Sequence, residues 1–369
     1  MTGASGLKVS VCVPAYERAE MLAELIGSVR LQDYTDLELC IADDSVSDSV
    51  ERCVAALSPA MDGLVYERNQ SRLGYWMNLR RAISLATGDV IVVLGDDDLF
   101  TTPGSVSRYA KAFAAHPDAH FAFANLLQVD DRRVATLAYR PFASDAVFPA
   151  GPAAVEALCL RSIVITGMAF RRSERLANLY PTDRVSPGAD RLYPQVELVG
   201  RLLLQHGGMG IADYLCAFRV HPGQFALRRR HGSDDPPRET DSSAELPWII
   251  DRISAEAGEP VDLRRSLTRQ FVAHDRTILV DRRIRSGVVA TSRHVWALVT
   301  TDRVARRSPS LWLAWLVAVL PPARLLLVAK NGLRRAWCAY LLRRDHIDRD
   351  VVRDLAIAPH ATTTGPPPA

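Results

Sequence analysis

As far as about residue 221, the chain alternates between short apolar runs and longer segments with apolar residues every three to four positions. Leu7–Ala15 alternates and then runs apolar through Pro14, which predicts a first strand, and Met21–Leu31 has helical spacing. Leu37–Ala42 predicts a second strand ending on Asp43-Asp44-Ser45, and Ser47 or Asp48 stands where a side chain caps a helix running to Leu57. A strand at Leu64–Glu67, a helix from Gly74 to Ala86 closed by Gly88, and a strand at Asp89–Leu94 follow. Pro103 opens a helix that runs to about His116. Beyond it, Ala119–Leu127 and Val134–Ala138 read as strands around a turn at Asp130-Asp131. Pro149–Leu160 reads as a helix, and Ser162–Phe170 and Ile211–His221 read as strands. Alternation at this spacing predicts an α/β fold: a mostly parallel sheet flanked by helices.

The strand pattern stops at Leu246, and Leu246–Ala257, Leu263–Arg285 and Gly287–Arg303 read as successive helices. The expected organisation is a sheet domain over residues 1–227, a polar mobile loop over 228–245, an α-helical C-terminal module over 246–349, and a tail from 350 whose end, Ala361–Ala369, is disordered. With 48% hydrophobic and 24% charged residues in a chain of 369, general disorder is excluded. The net charge of +3 is too small for a nucleic-acid binder, so no nucleic-acid partner is expected.

Charge is nevertheless uneven. Arg303–Arg344 holds nine basic residues and no acid, around the apolar runs Leu311–Leu320 and Leu325–Ala329. A membrane-spanning helix needs about 20 apolar residues, and Pro321-Pro322 and Arg324 interrupt this stretch. Interfacial helices fit better, with Trp312, Trp315 and Trp337 at headgroup depth and the basic flanks drawn to anionic lipid, so 303–344 is expected to touch a membrane surface. The six cysteines form no C-x-x-C pair and read as buried reduced thiols. Met1–Lys8 has neither a basic nor an apolar leader segment, so the expected location is cytoplasmic, peripheral at the inner face of the cell membrane.

The candidate chemistry lies at Val90–Phe100, V-I-V-V-L-G-D-D-D-L-F. A β-branched run there breaks at Gly95 and meets three carboxylates, Asp96, Asp97 and Asp98, at the strand end where open α/β sheets bind ligands. Adjacent carboxylates repel one another unless a cation or solvent offsets them, and hard oxygen donors beside a diphosphate suit Mg²⁺ or Mn²⁺. The competing reading is a solvated acidic turn. Neither G-x-G-x-x-G nor a Walker A motif occurs, which argues against a dinucleotide cofactor or a P-loop.

Four segments, in order and at their spacing, carry a resemblance: V-P-A-Y-E-R (Val13–Arg18), D-D-S-V-S-D (Asp43–Asp48), N-Q-S-R-L-G-Y-W-M-N (Asn69–Asn78) and A-T-G-D-V-I-V-V-L-G-D-D-D (Ala86–Asp98). Residues Leu7 to about His221 resemble a family 2 nucleotide-sugar glycosyltransferase of the GT-A fold. The resemblance implies that Pro14, Ala15, Tyr16 and Glu17 contact the nucleotide, that Asp44 with Asp43 meets the base edge, and that Gly74 and Asn78 of the third segment line the donor site. It further implies that Asp96 holds ribose and that Asp97 or Asp98 ligates a divalent ion, Mn²⁺ or Mg²⁺, with His221 of the R-V-H triplet as a further ligand. Glu17 and Gly95 depart from the family pattern, where Asn and Asp are usual.

A general base is also implied, because a sugar hydroxyl must lose its proton during attack on the anomeric carbon. Asp190 fits that role, with Glu197 in reserve; the bland alternative for Asp190 is a helix cap. Gly167 falls where the family seats the acceptor, or else marks a strand bulge. Arg228–Arg230 are expected either to close over the diphosphate or to sit in a solvated linker.

The implied activity is hexosyl or deoxyhexosyl transfer with inversion, from a nucleotide-diphosphate sugar donor to a hydroxyl of a glycan or lipid-linked acceptor in cell-envelope glycan biosynthesis. The alternative is a non-catalytic, membrane-associated binding or scaffold protein that retains the fold.

Overall fold

The computed structural model describes residues 6–173, 193–221 and 242–345, apart from 259, 302 and 322. Asp190 and Arg228–Arg230 therefore lie outside the described residues, as does the expected tail.

Ten strands among the described residues form one sheet in the order β3-β2-β1-β4-β9-β6-β10-β5, with β7 on β6 and β8 on β10. The strands are β1 (Val9–Ala15), β2 (Leu37–Asp43), β3 (Leu64–Arg68), β4 (Val90–Val93), β5 (Leu99–Phe100), β6 (Ala119–Val129), β7 (Ala135–Tyr139), β8 (Ala146–Phe148), β9 (Met168–Arg171) and β10 (Gly207–Arg219). Helices α1 (Ala19–Arg30), α2 (Ser49–Leu57), α3 (Tyr75–Ser84), α4 (Ser105–Ala115), α5 (Pro152–Leu158) and α6 (Pro194–Gln205) connect them.

The β3-β2-β1-β4 half is parallel throughout, as the strand–helix alternation requires. In the other half β9 runs antiparallel between β4 and β6, while β10 is parallel to β6. Strands β1 and β4 are buried along their whole length, which explains their continuous apolar runs. Two clusters of buried side chains form the core. One includes Leu22, Ile26, Tyr109 and Phe113 against one face of the sheet, and the other includes Leu79, Phe121, Phe170 and Leu202. Each such fully buried large side chain contributes roughly 1.5–3 kcal/mol.

Three expectations need correction. Ser162–Phe170 is not one strand: Cys159–Ile163 is a 3₁₀ turn, held in part by the Ser162 hydroxyl on the Cys159 carbonyl (2.5 Å), and the strand begins only at Met168. Asp48 occupies the N-cap position of α2 but makes no side-chain capping bond. Ser242–Glu245, placed in the polar loop, already belong to a helix.

The C-terminal helices are α7 (Ser242–Glu256), α8 (Pro260–Thr301), α9 (Arg303–Arg306), α10 (Pro309–Val319) and α11 (Ala323–Arg344). Gly287, at φ +81°, breaks α8 at the junction expected between two helices. These helices pack against the sheet domain. Ile249, Ile253, Leu267 and Phe271 join the second core cluster, and Cys338, Leu341 and Leu342 of α11 join the first. Just past α11, Asp345 accepts from the Tyr214 hydroxyl of β10 (2.9 Å) and pairs with Arg140 (3.0 Å). No helix among the described residues is long and apolar enough to cross a membrane.

Candidate active site

The candidate site lies at the C-terminal ends of β1, β2, β4 and β10. The chain leaves β4 through Leu94 and Gly95, presents Asp96–Asp98, and enters β5. Strand β5 has two residues, yet it pairs antiparallel with β10, Leu99 opposite Ala217 and Phe100 opposite Cys216. That pairing carries Asp97 and Asp98 across to the end of β10. There the Arg219 backbone N–H donates to Asp98 Oδ1 (3.0 Å), and His221 Nε2 lies 2.9 Å from Asp97 Oδ2.

All three carboxylates and His221 are buried, with exposures of 1–6%. Asp96 Oδ2 accepts from the Tyr16 backbone N–H (2.8 Å), and Asp96 Oδ1 accepts from Arg18 Nη1, which is also 3.1 Å from Asp97 Oδ2. Asp98 Oδ2 accepts from the Thr166 hydroxyl and from the Gly95 N–H (3.2 Å). Burial lifts the Asp96 carboxyl to about 7, Arg18 opposing the rise and Asp97 adding to it. Burial likewise pushes Asp98 well above the usual carboxylate range, reinforced by Asp97. Asp97 also feels burial, but the His221 hydrogen bond and the Arg18 charge outweigh it and hold its carboxyl below the ordinary value.

Gly95 now has a physical reason. A Cβ at this position would lie 2.7 Å from Asp97 Oδ1 and 2.9 Å from Asp98 Oδ2. The acidic turn folds back over residue 95, so a side chain there requires the Asp97 and Asp98 carboxylates to shift.

The neighbouring turns are tied to one another. Glu17, at φ +57°, accepts from the N–H groups of Val46 (2.7 Å) and Ser47 (2.9 Å) and from the Ser47 hydroxyl (2.5 Å), so its carboxylate fastens the β1 turn to the β2 turn. Asp44 accepts from Leu73 N–H (2.7 Å), Gly74 N–H (2.9 Å) and Asn69 Nδ2 (3.0 Å), which holds the entry to α3. Gly74, at φ +81°, is a backbone position suited to glycine. Asp43 accepts from Ser45 N–H and the Tyr66 hydroxyl. Pro14 lies in β1 opposite Ala42, and the Ala15 carbonyl takes Asp44 N–H and Asn78 Nδ2. Arg72 stacks over the Tyr16 ring, 5.0 Å from its centre.

The residues singled out in the sequence thus converge, apart from Asp190, which lies outside the described residues, and Glu197. Glu197 is fully buried on α6 and pairs with Arg201 (2.9 Å) and with Arg252 of α7 (3.3 Å), so its carboxylate faces the helical module. Gly167 takes φ +87° just before β9, and its carbonyl accepts from the Tyr109 hydroxyl. Sequence reasoning gave no role to Arg18, Thr166 or Arg219. Arg18 carried a signal as the last residue of V-P-A-Y-E-R and Arg219 as the first of the R-V-H triplet, whereas Thr166 carried none.

The donor set at this edge, carboxylate oxygens beside an imidazole, fits a divalent cation in its chemistry. Among the described residues no three His, Cys, Asp or Glu side chains stand as a ready cage. Such ions are commonly held by one or two carboxylates together with substrate phosphates, so an acidic edge without a cage is compatible with that mode.

Residues 10–174 match the model for "Glycosyl transferase family 2". Abequosyltransferase RfbV of Salmonella typhimurium is 34% identical over 93 residues, 24% of this chain and 28% of that protein. The GalNAc(5)-diNAcBac-PP-undecaprenol beta-1,3-glucosyltransferase of Campylobacter jejuni is 35% identical over 92 residues, 25% of this chain and 30% of that one. The match therefore spans less than a third of either relative. The UDP complex of S. aureus TarS 1–349 superimposes with a TM-score of 0.54 at 14% identity, covering 92% of both chains. Its UDP-GlcNAc complex gives 0.54 at 15%, with the same coverage. The fold is of the GT-A type with a C-terminal helical region, and residues 10–174 carry the likeness to glycosyltransferase family 2.

Proposed function

We propose that the protein transfers a sugar from a nucleotide-diphosphate donor to a hydroxyl of a glycan or lipid-linked acceptor, with inversion at the anomeric carbon. The observation that carries this reading is the meeting of Asp96–Asp98 with His221 at the strand ends of a nucleotide-sugar-transferase fold. The TarS structures that share the fold hold UDP and UDP-GlcNAc, and the curated relatives are named for sugar transfer, one of them onto an undecaprenyl-diphosphate glycan.

In this reading Asp97 or Asp98, with His221, would hold Mn²⁺ or Mg²⁺, which would supply positive charge beside the donor's diphosphate. Asp96 and the Tyr16 turn hold the ribose side of the donor, and the Asp43–Asp44 turn with Gly74 and Asn78 frames the base. Asp190 takes the acceptor proton. The basic segment 303–344 rests on anionic lipid at the cytoplasmic face, which delivers a lipid-linked acceptor to the cleft.

The test is a thermal-shift series with UDP, GDP and dTDP, with and without Mn²⁺, since a ligand of the native state raises its melting temperature. One nucleotide is expected to raise it, only with metal, and Asp97→Ala or Asp98→Ala is expected to abolish the rise. Absence of any rise would refute the donor site. A rise with no transfer or hydrolysis across acceptors would instead favour the scaffold reading.

A further inference from the structure

Arg18 brings a positive charge into the acidic cluster. Its backbone is fixed: the Arg18 carbonyl accepts from Leu22 N–H (2.9 Å) at the start of α1, and the preceding Glu17 is tied down by Val46 and Ser47. Its side chain, 13% exposed, reaches Asp96 and Asp97 through Nη1. Its Nε is buried without a hydrogen-bond partner. The guanidinium is thus held by carboxylates alone on one side and leaves a buried donor unused, which is unfavourable.

Asp97 Oδ2 receives both Arg18 and His221. A divalent ion on Asp97 would stand within a few ångströms of the guanidinium, and two cations at that separation repel strongly in a buried site. Both cannot keep the same oxygen. A nucleoside diphosphate would resolve the conflict, because its oxygens accept several N–H donors from one guanidinium.

We propose that Arg18 is a placeholder for the divalent cation and a positioning residue for the donor. Without donor, it neutralises Asp96 and Asp97 and keeps metal affinity low. When metal and diphosphate arrive together, the guanidinium leaves Asp97 and turns its donors, Nε included, to the phosphate oxygens. Metal and nucleotide binding are then strongly coupled, and each raises the affinity for the other by the same factor. The inference rests on the metal-dependent reading above.

The experiment measures Mn²⁺ affinity of the full chain by electron paramagnetic resonance, alone and with whichever of UDP, GDP and dTDP raises the melting temperature. Wild type is compared with Arg18→Gln, and with Arg18→Met, which keeps the apolar stem, should the first variant fail to fold. Without nucleotide the variant is expected to bind Mn²⁺ about tenfold more tightly than wild type, and the coupling factor between Mn²⁺ and nucleotide is expected to fall by a similar amount. Equal or weaker Mn²⁺ binding by the variant, with wild type still binding Mn²⁺ in the presence of nucleotide, overturns the placeholder role and leaves the metal-dependent reading standing. No Mn²⁺ binding by any protein under either condition overturns both.

Discussion

At the scale of single residues, the site depends as much on an absent side chain as on those present. Gly95 allows the acidic turn to close on itself, and Gly95→Ala would set a methyl 2.7 Å from Asp97 Oδ1. Overpacking of this kind costs about 1–3 kcal/mol, so the variant should melt lower and lose most of its metal-dependent response to nucleotide. An unchanged melting curve and response would show that the turn does not close over residue 95. At the opposite end of the strands, Glu38 accepts from the Ser10 hydroxyl (2.5 Å), the Thr87 N–H (2.6 Å) and the Thr87 hydroxyl (2.8 Å), and pairs with Lys8 (2.6 Å). Burial opposes its ionisation, but the bonds from Lys8, Ser10 and Thr87 outweigh it and lower the carboxyl to about 2. Because this folded-state value lies below the unfolded one, the stabilisation is complete above about pH 5 and is lost as pH falls through 4 towards 2. Glu38→Gln should therefore destabilise by about 1–3 kcal/mol at pH 7, with a gap from wild type that narrows steadily on acidification. A gap independent of pH between 7 and 3 would mean that charge plays no part.

At the scale of elements, α10 and α11 expose apolar residues; α10 itself carries no charge, while α11 is rich in arginine. Leu313, Leu316, Val317 and Leu320 are exposed at α10 and its end, and Leu333, Trp337 and Tyr340 on α11, while Leu341 and Leu342 face the core. An exposed apolar surface beside basic side chains suits the headgroup region of an anionic membrane. Sedimentation with phosphatidylglycerol vesicles should exceed that with phosphatidylcholine. Replacing Leu320 and Trp337 together by Glu should weaken it by about tenfold or more, given the apolar burial lost. Equal binding to both lipids, or no effect of the double substitution, would remove the membrane from the account. Elements also show where the sequence stops being legible. Long strands and helices were readable because one face must be apolar over many residues. Strands β5 and β8, of two and three residues, are too short for any period. The run Ile163–Ile165 is β-branched and apolar, yet these residues satisfy that character by packing partly buried against the second core cluster outside any strand. Local pattern reports burial there, not backbone conformation.

At the scale of the whole molecule, the motifs marked the candidate-site end of the sheet because each follows its strand directly in sequence. What they did not reveal was the internal wiring: Arg18 inside the acidic cluster, Thr166 and Arg219 on Asp98, and Glu197 turned to Arg252. Such partners are set by chain crossings, and no local periodicity encodes them. The helical module is likewise more than an appendage, since Asp345 joins it to Tyr214 in the middle of the strand that ends near His221.

The pairing of β5 with β10 has a consequence for how the protein comes into being. The contacts it permits, Asp98 with Arg219 and Asp97 with His221, join residues 121 and 124 positions apart. Contacts of that separation demand that most of the intervening chain be ordered before they form, so they arise late. Strands β1, β2 and β3, whose paired residues lie 25 to 28 positions apart, are free to assemble first. The acidic edge is therefore expected to be completed late, so that a half-folded molecule would have the β1 and β2 turns without the histidine that meets Asp97.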